Sequence, residues 1–375
     1  MKIVADNRIP FLKGVFEPFS QVVYIPGRSI KRDDLMDADV LITRSVTKCD
    51  ASLLKDTTVK LIATATIGDD HIDREFCKKN GIEVAAAPGC NASAVEQYFL
   101  SALLTVARNR HISLKGLKIG IIGVGNVGKR IKKVSELLGM ETIINDPPRR
   151  ENEGENGFAG IDELLKQADI VTLHVPLTNE GKYPTCHLAG EDFFSKIGKP
   201  VIFINTSRGA VVDTSALKKA IATGIVEASI IDVWENEPEI DVELLNKVDI
   251  ATPHIAGYSI EGKTRATKMV VEAVNKYFGL GLTIPVTEQK DKSKIVDLDC
   301  NGKSFQDAVY EPVNMSYDIL NDDRILRSNP ESFEQLRRNY EFRKEYNNYR
   351  VKLNNCSKNI EDFLMKIGFE IEMNY

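Results

Sequence analysis

Apolar positions fall into short runs at residues 3–5, 22–25, 40–43, 61–65 and 83–87. Polar segments of helical spacing such as 33–37 and 73–80 separate them, the latter ending at Gly81. Apolar runs of strand length alternating with helices predict a parallel sheet covered on both faces. Residues 1–92 therefore read as an α/β domain of their own. A longer helix follows over 95–108, rich in Leu, Ala, Val and aromatics, as suits a helix buried between two domains. Ser93, with Glu96 three residues on, predicts a capping box at its start.

The pattern then tightens. A strand at 117–122 runs into Gly123, Gly125 and Gly128, spaced G-x-G-x-x-G, and helical spacing through Val127, Ile131, Val134, Leu137 and Leu138 ends at Gly139. A second strand, 142–145, stops at Asp146. The polar stretch 147–157 reads as mobile, a short helix as 162–168, and further strands as 170–175, 201–205, 228–233 and 249–252. With the opening pair these make six strands, the number of a complete doubly wound dinucleotide domain.

A helix over 259–278 returns by position to the first domain, which makes that domain discontinuous, and Gly279, Leu280 and Gly281 form the boundary. Beyond them lie a polar linker at 288–294, a strand at 294–298 and a helix opened by Pro330 that carries Phe333, Leu336, Tyr340, Phe342, Tyr346 and Tyr349. The expected architecture is α/β: a doubly wound Rossmann NAD-binding domain at 93–257, a discontinuous flavodoxin-like α/β substrate domain at 1–92 and 258–280, and a small C-terminal α+β dimerisation domain at 281–375.

Composition narrows the function classes. At 375 residues, 43% hydrophobic and 27% charged, the chain has material for two or three ordinary globular cores. A formal net charge of -5 supplies no basic field for nucleic acid or an anionic membrane. No apolar run approaches the roughly 20 residues a membrane span requires, and the N-terminus lacks the apolar core of a signal peptide. Cys49, Cys77, Cys90, Cys186, Cys300 and Cys356 show no C-x-x-C spacing, so they read as reduced thiols of a cytoplasmic protein, with no metal site.

The candidate chemistry begins with the glycines. In a dinucleotide fold they permit a tight turn, close approach of the diphosphate and packing of helix on strand. The diphosphate sits on the helix N-terminus, where unpaired N–H groups favour an anion. Asp146, 18 residues after Gly128, suits the ribose hydroxyls and repels a 2′-phosphate, which favours NAD, although Arg149 and Arg150 are cations that suit such a phosphate.

Three residues follow strands of the same domain. Arg208 follows the strand ending at Asn205, Glu237 follows that ending at Val233, and His254 follows that ending at Thr252. Oxidation of an alcohol carbon needs a base for the hydroxyl proton, a role for His254. Glu237 on the other ring nitrogen would fix the tautomer. Arg208 suits a substrate carboxylate. His71, His111, His174 and His187 read as structural.

The runs Gly120-Ile121-Ile122-Gly123-Val124-Gly125-Asn126-Val127-Gly128, Asn205-Thr206-Ser207-Arg208-Gly209, Asp232-Val233-Trp234-Glu235-Asn236-Glu237-Pro238 and Thr252-Pro253-His254-Ile255-Ala256-Gly257, in this order, resemble the D-2-hydroxyacid dehydrogenase family. The resemblance implies catalysis by Arg208, Glu237 and His254, with His254 as acid/base. It implies NAD contacts at Gly123, Gly125, Asn126, Val127, Gly128, Asp146, Thr206, Ser207, Asp232 and Gly257. Val175 falls on a cofactor position where relatives often carry a hydroxyl.

Arg44-Ser45-Val46-Thr47-Lys48, Gly89-Cys90-Asn91-Ala92 and Gly257-Tyr258-Ser259 narrow the resemblance to members with an extra C-terminal domain that act on a phosphorylated sugar acid. It implies substrate contacts at Ser45, Thr66 and Tyr258, and a homodimer. Arg44 and Lys48, with neighbouring hydroxyls, supply a holder for a phosphate at the end of the substrate opposite Arg208. Two other readings stay open: a dehydrogenase of the same family acting on another acid such as 3-phosphoglycerate, and a non-catalytic NAD-sensing interaction protein.

Overall fold

The computed structural model describes residues 1–154, 157–282 and 294–372, so the expected linker at 288–294 lies, but for Lys294, outside the described residues. The chain divides into two compact units. Of the described residues, 1–91 and 259–282 form one, and 92–258 and 294–372 form the other.

In the first unit, strands Lys2–Asp6 (β1), Gln21–Ile25 (β2), Val40–Thr43 (β3), Leu61–Thr64 (β4) and Glu83–Ala85 (β5) form a parallel sheet in the order β2-β1-β3-β4-β5. That is the flavodoxin-like order, and its direction reverses between β1 and β3. Alternate residues serve opposite faces. Ile3, Ala5, Val40 and Ile42 pack with Phe16 and with Val270, Val271 and Val274 of the helix Ile260–Phe278. Val4, Leu41 and Ile62 pack with Leu35, Leu54 and Cys77. Ser259 caps that helix by accepting from the Gly262 N–H (2.9 Å), and Gly279 ends it in the left-handed conformation.

In the second unit, Lys118–Ile122 (β6), Glu141–Asn145 (β7), Ile170–Leu173 (β8), Val201–Asn205 (β9), Val226–Ile231 (β10) and Ile250–Ala251 (β11) pair in parallel in the order β11-β10-β9-β8-β6-β7. A single bridge from Ile144 to Phe158 continues the sheet beyond β7. The chain reverses direction across the sheet between β6 and β8, the point at which doubly wound folds bind ligands.

Several local expectations fail for identifiable reasons. The long helix starts at Ala92, so Ser93 and Glu96 lie inside it and form no capping box; Ser93 donates to Glu345 (2.8 Å) and Glu96 accepts from Arg130 (2.9 Å). The stretch read as mobile opens with a helix, Pro147–Glu153, because Asp146 caps it and Pro occupies its first turn. The helix expected to run on to Tyr349 is the short Phe333–Arg338; Tyr349 instead begins a strand. Aromatic spacing suggested one continuous helix, but Phe333 is buried from the short helix, Tyr346 from a 3-10 turn and Tyr349 from a strand.

The C-terminal segment is α+β. Lys294–Asp299 (β12), Tyr349–Asn354 (β13) and Glu370–Glu372 (β14) make a parallel sheet in the order β12-β13-β14. Cys300 and Cys356, 56 residues apart, follow the paired strands β12 and β13 and are joined by a disulfide. This corrects the reading of all six cysteines as free, since only the pairing of two distant strands brings these two together. The segment shares a core with the dinucleotide sheet: Val296, Leu298, Val313 and Val351 belong to one cluster with Ile119, Ile121 and Ile204. Asp323 accepts from the Ala251 N–H (2.7 Å), satisfying a donor on the edge strand β11, and Arg327 donates to the carbonyls of Leu245 and Val248. Among the described residues no helix is long and apolar enough to cross a membrane.

Candidate active site

The three glycines after β6 hold different positions for different reasons. A Cβ on Gly123, whose φ is +86°, would fall 2.6 Å from the His174 carbonyl oxygen, and one on Gly128 would fall 2.1 Å from that of Gly123. Both closures are tighter than any side chain permits. A Cβ on Gly125 would meet nothing within 4 Å. The first and third glycines therefore serve protein packing, and the second leaves open ground at the N-terminus of the helix Asn126–Leu137. No side chain caps that terminus, so the N–H groups around Asn126 and Val127 face the place where a diphosphate fits.

Asp146 steadies this cradle. Its carboxylate accepts from the Val124 N–H (2.8 Å) and the Arg149 N–H (3.1 Å). Arg149 is engaged with Glu153 (2.7 Å) and the Val124 carbonyl (2.7 Å), so its charge is compensated within the protein. Val175 presents a methyl group beside Gly123. His174, buried, has its imidazole pulled down to about 3 and stays neutral, bonded to Thr172 (2.9 Å) and within 3.5 Å of the Thr206 hydroxyl.

The loops after β9, β10 and β11 assemble the remaining chemistry. Asn205 shapes the first: its side chain accepts from the Ser207 N–H and hydroxyl (3.0 and 2.8 Å) and donates to the Arg208 carbonyl (3.0 Å). The Arg208 guanidinium donates to the Ser207 carbonyl (2.8 Å). Gly209 then presses this loop on the next, because a Cβ there would fall 1.9 Å from the Trp234 carbonyl oxygen.

Asp232, fully buried after β10, anchors the third loop. It accepts from the Thr252 hydroxyl (2.7 Å) and from the N–H groups of Ile255 (2.8 Å) and Ala256 (3.0 Å), while its carbonyl accepts from the His254 N–H (2.7 Å). The network continues from Thr252 to the buried Tyr98 hydroxyl (2.6 Å). Burial pushes the Asp232 carboxyl up from its ordinary value, and its hydrogen bonds offset part of that push. The sequence motif suggested a cofactor contact at Asp232; its structural part, holding both sides of His254, needed the fold to be seen.

His254 sits at φ +57°, a strained position for a non-glycine residue and one that recurs at functional sites. Its Nδ1 lies 2.5 Å from Glu237 Oε1. Burial raises the Glu237 carboxyl, but the hydrogen bond and charge of His254, the charge of Arg337 and the Trp234 N–H outweigh it and hold the group below its ordinary value. A carboxylate on Nδ1 leaves Nε2 as the nitrogen that exchanges a proton with a ligand.

A second cation-bearing side chain supports the same loop from the C-terminal segment. Arg343, buried, donates to the carbonyls of Ile255 (3.0 Å), Ala94 (2.9 Å) and Ala256, and to Gln97 (3.2 Å), and stacks 4.4 Å from the Tyr317 ring. Nothing in its local sequence marked it out. Gly257 and Tyr258 close the loop, and the Tyr258 ring packs edge-on against Tyr340 (6.0 Å) and Phe342 (5.9 Å).

In the first unit, Arg44 follows β3 and pairs with the buried Asp6 (2.8 Å), Lys48 is largely exposed and pairs with Asp50 (2.9 Å), and Thr66 shares its hydroxyl with Thr64 (2.6 Å) and Gly68 (2.8 Å). Ser45 follows Arg44 in the same turn.

A histidine paired with a carboxylate and a dinucleotide cradle suit an NAD-dependent dehydrogenase, and the second unit carries both. The model of the D-isomer specific 2-hydroxyacid dehydrogenase NAD binding domain matches residues 92–256, and a domain of unknown function matches 291–368. Proteins named erythronate-4-phosphate dehydrogenase are similar along nearly the whole chain: that of Bacteroides fragilis is 44% identical over 94% of this chain and 99% of its own, and that of Shigella flexneri 41% over 98% of each. Among solved structures, an NAD+-bound 3-phosphoglycerate dehydrogenase of Entamoeba histolytica has a TM-score of 0.63 at 28% identity, covering 77% of this chain and 99% of that one. A D-lactate dehydrogenase of Aquifex aeolicus complexed with NAD and lactic acid has 0.62 at 27%, covering 74% and 96%. The chain belongs to the D-isomer-specific 2-hydroxyacid dehydrogenase family. Its cofactor is NAD, as the glycine cradle and Asp146 led one to expect.

Proposed function

We propose that the chain oxidises 4-phospho-D-erythronate to (R)-3-hydroxy-2-oxo-4-phosphooxybutanoate, a step towards pyridoxal 5′-phosphate. The observation that carries the chemistry is the 2.5 Å contact between His254 Nδ1 and Glu237 Oε1, which dedicates Nε2 to a substrate hydroxyl. The relatives named erythronate-4-phosphate dehydrogenase support the choice of acid.

NAD, when bound, accepts the hydride from C2. His254 Nε2 takes the proton of the C2 hydroxyl as the carbonyl forms. Glu237, ionised, holds the imidazole in that tautomer and stabilises its protonated form. Arg208 is assigned to the substrate carboxylate. Arg44, Ser45, Lys48, Thr66 and Tyr258 are assigned to substrate binding, and Gly123, Gly125, Asn126, Val127, Gly128, Asp146, Val175, Thr206, Ser207, Asp232 and Gly257 to the cofactor.

The test is NADH appearance with 4-phospho-D-erythronate and with 3-phosphoglycerate. Faster turnover of phosphoglycerate rejects the proposed substrate, and no turnover across a panel of 2-hydroxyacids favours an NAD sensor. His254→Ala is expected to lower kcat by about two orders of magnitude or more with NAD still bound; a near-normal rate removes His254 from its role.

Dimerisation and a cytoplasmic setting belong to the same proposal. Ile295, Met315, Ile325, Phe342 and Met365 expose large apolar side chains on the C-terminal segment, the kind of surface a second copy covers. Light scattering of the intact chain at twice the monomer mass supports the dimer, and the monomer mass rejects it.

A further inference from the structure

Arg337 lies outside the motifs read from the sequence and outside the groups assigned so far. It ends the short helix Phe333–Arg338, whose first residue, Phe333, is buried in the hydrophobic cluster that also holds Trp234. That anchoring carries Arg337, one turn later, to the loop after β10. Its guanidinium is hydrogen-bonded to Tyr258 and within electrostatic reach of Glu237. Nη1 lies 3.6 Å from Glu334 Oε2, and the group stands 6.0 Å from the Phe333 ring. Nε is buried and has no hydrogen-bond partner among the described residues.

A buried guanidinium donor without an acceptor is costly, and a ligand that supplies the acceptor removes that cost. A substrate whose hydroxyl meets His254 and whose carboxylate meets Arg208 still has its phosphoryl end to place, and Arg44 and Lys48, the cations first considered for it, are already paired with Asp6 and Asp50. The planar fork of an arginine, with a tyrosine hydroxyl beside it, matches the oxygens of a phosphate. Both groups belong to the unit that carries His254 and Glu237.

We propose that Arg337 and Tyr258 form an anion subsite beside the His254–Glu237 pair and that it takes the phosphoryl end of the substrate. The C-terminal segment then contributes a specificity residue to the active site. The presence of a phosphate on the substrate rests on the function proposed above. The subsite itself is a claim about phosphate chemistry, testable without turnover.

The experiment uses the full chain loaded with NAD, as wild type, Arg337→Met and Arg337→Lys. With 4-phospho-D-erythronate, Arg337→Met is expected to raise KM about ten- to a hundredfold, the loss of a charge-assisted hydrogen bond. The loss should exceed that on unphosphorylated D-erythronate by tenfold or more, and Arg337→Lys should recover part of it. Equal losses on both acids overturn the subsite. Calorimetric titration with inorganic phosphate provides the second readout. Binding to wild type and its loss in Arg337→Met support the subsite even if the substrate is another phosphorylated acid. Equal titrations in the two overturn it even if phosphoerythronate is turned over.

Discussion

At the scale of single residues, the proposed chemistry depends on keeping Glu237 ionised beside a histidine in a half-buried place. Its carboxyl is held below its ordinary value of 4.5. A depressed folded-state value means the group adds stability above pH 4.5 and loses that contribution as pH falls through the lower folded value. The stability difference between wild type and Glu237→Gln is therefore expected to be full near neutrality and to shrink on acidification. Denaturant melts across that range check it; a difference that does not change with pH would place the carboxylate's stabilising role elsewhere. The candidate trio Arg208, Glu237 and His254 could be picked out in the sequence because each follows a strand, and strand ends share one edge of a parallel sheet. Asp232 was legible only as part of a motif: its task, accepting four hydrogen bonds around the His254 loop through carboxylate and carbonyl, is a fact of three-dimensional closure.

At the scale of elements, the strands were readable because their burial on both faces leaves near-continuous apolar runs. Strand ends drifted by a residue or two, as the predicted 170–175 against the observed Ile170–Leu173 illustrates. The C-terminal segment was less legible. Its strands β13 and β14 carry Arg350, Lys352 and Glu370 among their apolar residues, and the Tyr and Phe spacing that precedes them imitates a helix. The loops joining the elements carry the tightest constraint. Gly209→Ala puts a Cβ against the Trp234 carbonyl, backbone on backbone, and no rotamer relieves it. We expect a loss of about 3 kcal/mol or more, seen as a fall in Tm of roughly 6–12 °C, together with reduced kcat because the Arg208 and Glu237 loops are pushed apart. Unchanged melting and activity would contradict the close packing.

At the scale of the molecule, the second unit does not end where the dinucleotide domain does. Asp323 satisfies the edge of the sheet, Arg327 gathers the carbonyls before β11, and Arg343 gathers those after His254. Arg343→Met removes the charged donor shared by the carbonyls of Ile255, Ala94 and Ala256, and each lost bond costs about 1–3 kcal/mol. It is expected to lower both Tm and kcat, although Arg343 is not assigned to substrate or cofactor. A variant that melts lower but keeps full kcat would limit Arg343 to stability. The reading of 281–375 as a module for oligomerisation gave no hint of this, since contacts across so long a stretch of sequence leave no periodic trace in it.

The Arg343 clamp also sets an order of events during synthesis. Ile255 and the guanidinium that holds its carbonyl are 88 residues apart in the chain. A nascent polypeptide that has just exposed His254 carries Arg208, Glu237 and His254, but the loop around His254 is still unfastened. The loop is fastened only once Arg343 has left the ribosome, so a product terminated before it would bear the four motifs of the dinucleotide domain without the clamp that holds their last loop.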